Sequence, residues 1–171
     1  TTVTAPHEQL LKVAAVVREA TATRMDGAQV LGLHLEGPYV NPKRAGAQNP
    51  AHMRAPSLEE LQELYETAQG TWRLVTLAPE LPGAPEAIGW LTERGVVVSL
   101  GHTDATYEQA SAGIAAGARH ATHLFNAMRG LHHREPGVVG AALAHDAVTV
   151  ELIADGDHVH PAALRLAAAV K

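Results

Sequence analysis

The chain has 171 residues, no cysteine and a formal charge of −5, which excludes a disulfide framework and a thiolate metal site and argues against a nucleic-acid surface built on a basic run. Its 46% hydrophobic content is enough to bury a core, and its length suits one domain. Nothing in it reads as a signal peptide or a membrane span, so a cytoplasmic location is the default expectation.

Leu10, Val13, Ala14 and Val17 fall on one face of an opening helix. A turn ending at Asp26-Gly27 leads into a strand over 28–40, with Val30, Gly32, His34 and Glu36 on one side and Leu31, Leu33 and Leu35 on the other. A leucine face packed on helices with His34 and Glu36 opposite is what a barrel strand with an active-site end shows. An edge strand with its polar face in water gives the same pattern. Gly37-Pro38 breaks the strand after Glu36, and the long proline-rich loop from Tyr39 to Pro56 is of the kind that carries function or moves.

Ser57-Leu58-Glu59-Glu60 forms a capping box that opens a helix running to Gly70. Trp72 to Leu77 is a strand stopped by Ala78-Pro79, and Pro85 sits in the first turn of a helix that ends at Gly95. Val96 to Leu100 is a buried strand leading into His102, with Asp104 a turn or helix-capping residue and Tyr107 to Ala116 a helix closed by Gly117. A further strand delivers His123. After a loop from Arg129 to Gly137, the apolar run Val138 to Ala144 leads to a strand over 148–154, a turn at Asp155 and a last helix from Pro161.

About five strands alternate with helices, which is the signature of a parallel α/β fold. Taken singly, any one of the eleven histidines reads as a surface or core residue. Two consecutive parallel strands that each end in a histidine are different, because parallel folds keep their chemistry at the carboxyl ends of their strands. Without cysteine, any metal there must be held by imidazole and carboxylate. Eight barrel strands typically need about 250 residues, so five strands read as the middle of a larger domain with elements missing at both ends.

Five motifs in one order carry a resemblance: Gly32-Leu33-His34-Leu35-Glu36-Gly37-Pro38, Gly101-His102-Thr103-Asp104-Ala105-Thr106-Tyr107, His120 to Met128, Arg134-Glu135-Pro136-Gly137 and Ile153 to His160. Together they resemble the N-acetylglucosamine-6-phosphate deacetylase family of the amidohydrolase superfamily. The resemblance implies an α/β fold that is a partial (β/α)8 barrel of the TIM type, the central strands of a metal-dependent hydrolase domain. It implies a divalent cation, Zn2+ first and Fe2+ or another divalent ion as alternatives, with Glu36, His102 and His123 as ligands. One carboxylate and two imidazoles from three strand ends leave a position open for water, as a hydrolytic metal requires.

The family's substrate contacts fall on Ala47, Asn126, Ala127, Arg134 and His158. Arg134 suits a phosphate because guanidinium offers a planar fork of donors that keeps its charge. His158 would hydrogen-bond the sugar or the amide carbonyl. The implied reaction is hydrolysis of the acetamide of an amino-sugar phosphate to glucosamine 6-phosphate and acetate, by a protein that is a homodimer at full length. The family's proton-transferring aspartate follows the last barrel strand, so it is expected beyond Lys171 and no catalytic residue is assigned within 1–171. Two departures stand out: the first barrel strand is not represented, and Gln48 takes a loop position where some relatives have histidine. Two other readings remain open, a different amidohydrolase such as a cyclic-amide hydrolase or deaminase, and a non-catalytic module that binds a sugar phosphate.

Overall fold

The computed structural model describes residues 1–23 and 26–171. Strands β1 (Leu33–Glu36), β2 (Trp72–Leu77), β3 (Val97–Leu100), β4 (His120–Ala121) and β5 (Thr149–Val150) form one parallel sheet in the order 1-2-3-4-5. Neighbours in the sheet are consecutive in the chain, so right-handed connections place their helices along one face. The helices are α1 (His7–Ala22), α2 (Leu58–Ala68), α3 (Ala84–Glu93), α4 (Tyr107–Ala115), α5 (Gly137–Ala144) and α6 (Pro161–Val170). Contacts run between α1 and α2, α3 and α4, and α4 and α5. This sequential winding is that of a barrel segment, since a doubly wound sheet reverses its strand order.

Alternation along the strands sets the two faces. Leu35–Val75–Val98 and Leu77–Leu100–Ala121 pair across the sheet as buried apolar rows. They share one core with Leu61, Leu64, Ile88, Leu91, Ile114 and Val138 from the helices, and each large aliphatic side chain so buried contributes about 1.5–3 kcal/mol. The opposite face carries the row Glu36–Thr76–Ser99–His120–Thr149.

That polar row satisfies itself. His34 Nε2 and Thr76 Oγ1 are 2.8 Å apart, Thr76 Oγ1 and Thr122 Oγ1 2.7 Å, and Ser99 Oγ and His120 Nδ1 2.9 Å, with Ser99 and Thr122 hydroxyls bonded between them. Thr76 and Ser99 are fully buried, so these bonds replace the water they lost. The expected arrangement of β1, with leucines toward helices and His34 and Glu36 opposite, is therefore present, and the water-facing alternative is not.

Several boundaries differ from the pattern-based expectation. β1 covers four residues, not 28–40, because β2 begins at Trp72, the partner of Leu33, and leaves earlier residues nothing to pair with. Leu31 is accordingly 74% exposed. The strand expected over 148–154 is likewise reduced to Thr149–Val150 beside a two-residue β4. Val13 lies outside the buried face of α1, which rests on Leu10 and Ala14. The run Val138 to Ala144 is itself a helix. At Ser57 only one arm of the capping box forms: its hydroxyl accepts from Glu60 N at 3.2 Å, while the Glu60 carboxylate is taken by Arg54 and the Tyr39 hydroxyl. Part of the turn expected after α1 falls on residues 24–25, outside the described residues. No helix among the described residues is long and apolar enough to cross a membrane.

Candidate metal centre

Each of the three residues stands at or just beyond the carboxyl end of a strand. Glu36 is the last residue of β1, before the Gly37-Pro38 break, while His102 and His123 lie two residues past β3 and β4. Glu36 Oε1 is 2.9 Å from His102 Nε2 and 3.6 Å from His123 Nε2, and the two imidazole nitrogens are 3.1 Å apart. Donor atoms held about 2.0–2.2 Å from one ion at tetrahedral angles are about 3.3–3.6 Å apart, so the trio fits a small divalent ion with little adjustment. The imidazoles meet edge to face at 85°, and both Nε2 atoms are turned to the same Glu36 oxygen.

The electrostatics agree. Hydrogen bonds from His102 and then His123 hold the Glu36 carboxyl well below the usual carboxylate range. Burial opposes charge on His123, yet the hydrogen bond and negative charge of Glu36 outweigh it and raise the imidazole pKa. A pocket that keeps its carboxylate ionised and draws a proton onto an imidazole is a pocket that favours a cation. His102 Nδ1 donates to the Arg44 carbonyl at 2.9 Å, which orients the ring with Nε2 toward the centre.

The loop over 39–56 folds back on this centre. Gly46 has φ +54, and a Cβ there would come 3.3 Å from the His102 ring and 3.6 Å from the Ala127 side chain. Ala47 follows it, exposed, and Gln48 is buried with its Nε2 donating to Glu36 Oε1 at 3.0 Å while its Oε1 accepts from Thr4 N at 2.6 Å. Gln48 thus braces the carboxylate, a role not visible in sequence beyond its departure from histidine. Asn126 and Ala127 lie on the loop that starts at His123, with Asn126 N donating to the His123 carbonyl and its buried Nδ2 lacking a protein partner among the described residues.

Arg134 and His158 are on exposed loops and, among the described residues, make no bond with the trio. The Arg134 backbone N donates to His132 Nδ1 at 3.2 Å, and its guanidinium has no ion-pair partner among the described residues. His158 Nδ1 and Asp155 Oδ2 are 2.6 Å apart, and Asp155 also accepts from the backbone N of Asp157 and His158, so the turn reading of Asp155 holds. The capping alternative for Asp104 does not. Thr106 and Gln109 form the full capping box of α4, and the Asp104 carboxylate instead accepts from Arg44 at 3.0 and 2.8 Å and from Arg129 at 3.1 Å.

A singly wound parallel sheet with a carboxylate and two imidazoles gathered at its carboxyl edge is the layout of a barrel-type metal-dependent hydrolase. The chain belongs to the amidohydrolase family, which matches it over residues 1–171. This family is metal-dependent, and the trio is its candidate ligand set here. Among its relatives, an N-acetylglucosamine-6-phosphate deacetylase of Vibrio furnissii is 48% identical, with 98% of this chain and 42% of the relative covered. An N-acetylgalactosamine-6-phosphate deacetylase of Escherichia coli O157:H7 is 47% identical, over 97% of this chain and 44% of the relative.

The crystal structure of N-acetyl-D-glucosamine-6-phosphate deacetylase from Mycobacterium smegmatis superposes with a TM-score of 0.92 at 45% identity, covering 98% of this chain and 43% of that one. A mutant of the same enzyme has been solved in complex with N-acetyl-D-glucosamine-6-phosphate, at the same similarity. The chain therefore spans less than half the length of the relatives it matches.

Proposed function

We propose that this chain forms the metal- and substrate-binding part of a deacetylase that converts N-acetylglucosamine 6-phosphate and water to glucosamine 6-phosphate and acetate. The observation that carries the proposal is the convergence of Glu36, His102 and His123 within 4.8 Å of one another at the strand ends. Glu36 and the two Nε2 atoms hold a divalent ion, Zn2+ first and Fe2+ or another divalent ion as alternatives. When bound, such an ion polarises a carbonyl and makes water a stronger nucleophile near neutral pH.

The chain's own residues do the rest of the recognition. Gln48 keeps Glu36 aimed at the centre, and the Arg44 carbonyl keeps His102 in one tautomer. The unpartnered Asn126 amide, with Ala47 and Ala127 beside it, is placed to take polar groups of the sugar. Arg134 binds the 6-phosphate with its exposed guanidinium, within a homodimer, and His158 hydrogen-bonds the sugar or the amide carbonyl. Asp104 is engaged by two arginines and Asp155 by its own turn, which supports assigning proton transfer to an aspartate outside these 171 residues. A phosphorylated sugar does not cross a bilayer unaided, and this supports a cytoplasmic site of action.

The test is acetate release by the full-length protein from N-acetylglucosamine 6-phosphate and from its galactosamine epimer. Turnover of neither sugar phosphate refutes the proposal, and the preferred epimer names the sugar. Arg134→Ala weakens phosphorylated substrate by ~1.5–3 kcal/mol, as for loss of a hydrogen bond to a charged group. An equal loss on unphosphorylated N-acetylglucosamine removes Arg134 from phosphate recognition.

A further inference from the structure

His102 and His123 both depart from ordinary backbone conformation, with φ of +48° and +33°. Side-chain-bearing residues are strained in this left-handed region, and they stay there only where the surroundings over-determine them. What fixes His102 is traceable. Its ring Nδ1 donates to the Arg44 carbonyl at 2.9 Å, and its own carbonyl accepts from Asn41 N at 2.9 Å.

Both holds lead to a carboxylate that the proposed reaction does not use. Glu80 lies three residues past the end of β2, between the loops that follow β1 and β3. Its Oε1 accepts from the Asn41 amide Nδ2 at 2.9 Å and from Asp104 N at 2.7 Å, and its Oε2 accepts from the Thr103 hydroxyl at 2.6 Å. Through Asn41 it steadies the His102 carbonyl. Through Asp104, whose carboxylate grips Arg44 at 2.8 Å, it steadies the carbonyl that orients the His102 ring.

We propose that Glu80 is a positioning residue for the metal centre, acting through Asn41 and Asp104 to hold His102 with its Nε2 facing Glu36 and His123. The inference rests on the reading of that trio as a metal site. Three donors converge on Glu80 and none of them requires it to donate, so the position calls for an acceptor-only carboxylate. A glutamine that turns its NH2 group toward Asn41 Nδ2 and Asp104 N breaks two arms, and one that turns it toward Thr103 must reverse that hydroxyl and gives up the negative charge that all three donors share. Glu80 is not itself a ligand, because its oxygens are occupied and His102 Nε2 is turned to Glu36.

The experiment titrates Co2+ alone into the metal-stripped full-length protein, reading the visible absorption band and the dissociation constant by chelator competition. Glu80→Gln is expected to bind Co2+ about 10-fold more weakly, the lower end of the range for a lost outer hydrogen bond to a ligating histidine because Glu80 acts one bond further out, with an altered band. Glu80→Asp is expected to fall between Glu80→Gln and the parent. A band and affinity equal to the parent's overturn the proposal even if the melting temperature falls, since a merely structural carboxylate would lower stability without moving the spectrum. If Glu80→Gln does not fold, Asn41→Ala decides in its place: weakened Co2+ binding supports the proposal and parental binding overturns it. A parent protein that takes up no Co2+, or a His102→Ala variant that binds it as the parent does, refutes the metal reading itself.

Discussion

Glu36 carries the clearest consequence at the scale of single residues, because three donors share its carboxylate: His102, His123 and Gln48. Glu36→Gln keeps the shape but removes the charge that the cation needs, and Zn2+ uptake at stoichiometric concentration should be lost. Retained one-to-one uptake by equilibrium dialysis would show that the imidazoles suffice. Asp155 offers a test by pH. The backbone N–H groups of His158 and Asp157, with the His158 ring, hold its pKa at about 2, against an ordinary aspartate value of about 3.9. A depressed folded pKa stabilises above the unfolded value and is lost as pH falls through the folded one. The turn that positions His158 should therefore be fully held above about pH 4 and released near pH 2. A carboxyl midpoint near 3.9 in an NMR titration would mean that the turn is not held.

Among the elements, the strands decided how much could be read in advance. His102 and His123 were legible because each follows an apolar strand pattern closely and parallel strands carry their ends to one edge, whereas the pattern put Glu36 only on the polar side of its strand and the family resemblance made it a ligand. The glutamine and glutamate that brace them were not legible. Gln48 reaches Glu36 and Glu80 reaches Asp104 only after long loops fold, and no periodicity describes a loop. Strand lengths also escaped the sequence, since a strand ends where its neighbour does, and β4 pairs through only two residues. The row of hydroxyls from His34 to His120 is the element-scale device that joins four strands beneath the centre. Four bonds with three hydroxyl protons require at least one imidazole N–H to donate into the row. Thr76→Val cuts the row, leaving His34 Nε2 without its Thr76 partner and the Thr122 hydroxyl with Ser99 alone, at a cost of about 1–3 kcal/mol. Chemical denaturation measures it, and a change under about 0.5 kcal/mol would mean that water replaces the hydroxyl.

Considered as a whole molecule, the sheet is an open arc: β1 and β5 each pair with one strand among the described residues, whereas a barrel of this type closes with eight. Relatives more than twice as long supply the comparison, and Asp104 and Asp155 are both committed to structural partners. Under the proposed function, metal and sugar-phosphate recognition fall to this segment, and the transfer of a proton to the leaving amine falls outside it. Such a transfer is typically worth about 10²–10⁴-fold in rate, and unpaired strand edges would further loosen the hold on the centre. Residues 1–171 alone should then release acetate from N-acetylglucosamine 6-phosphate at least about 100-fold more slowly than the full-length protein, with added Zn2+ giving no recovery. Comparable turnover by the two would place the acid within this segment and return attention to Asp104, Asp155 and Asp157, each then to be tested by substitution with asparagine.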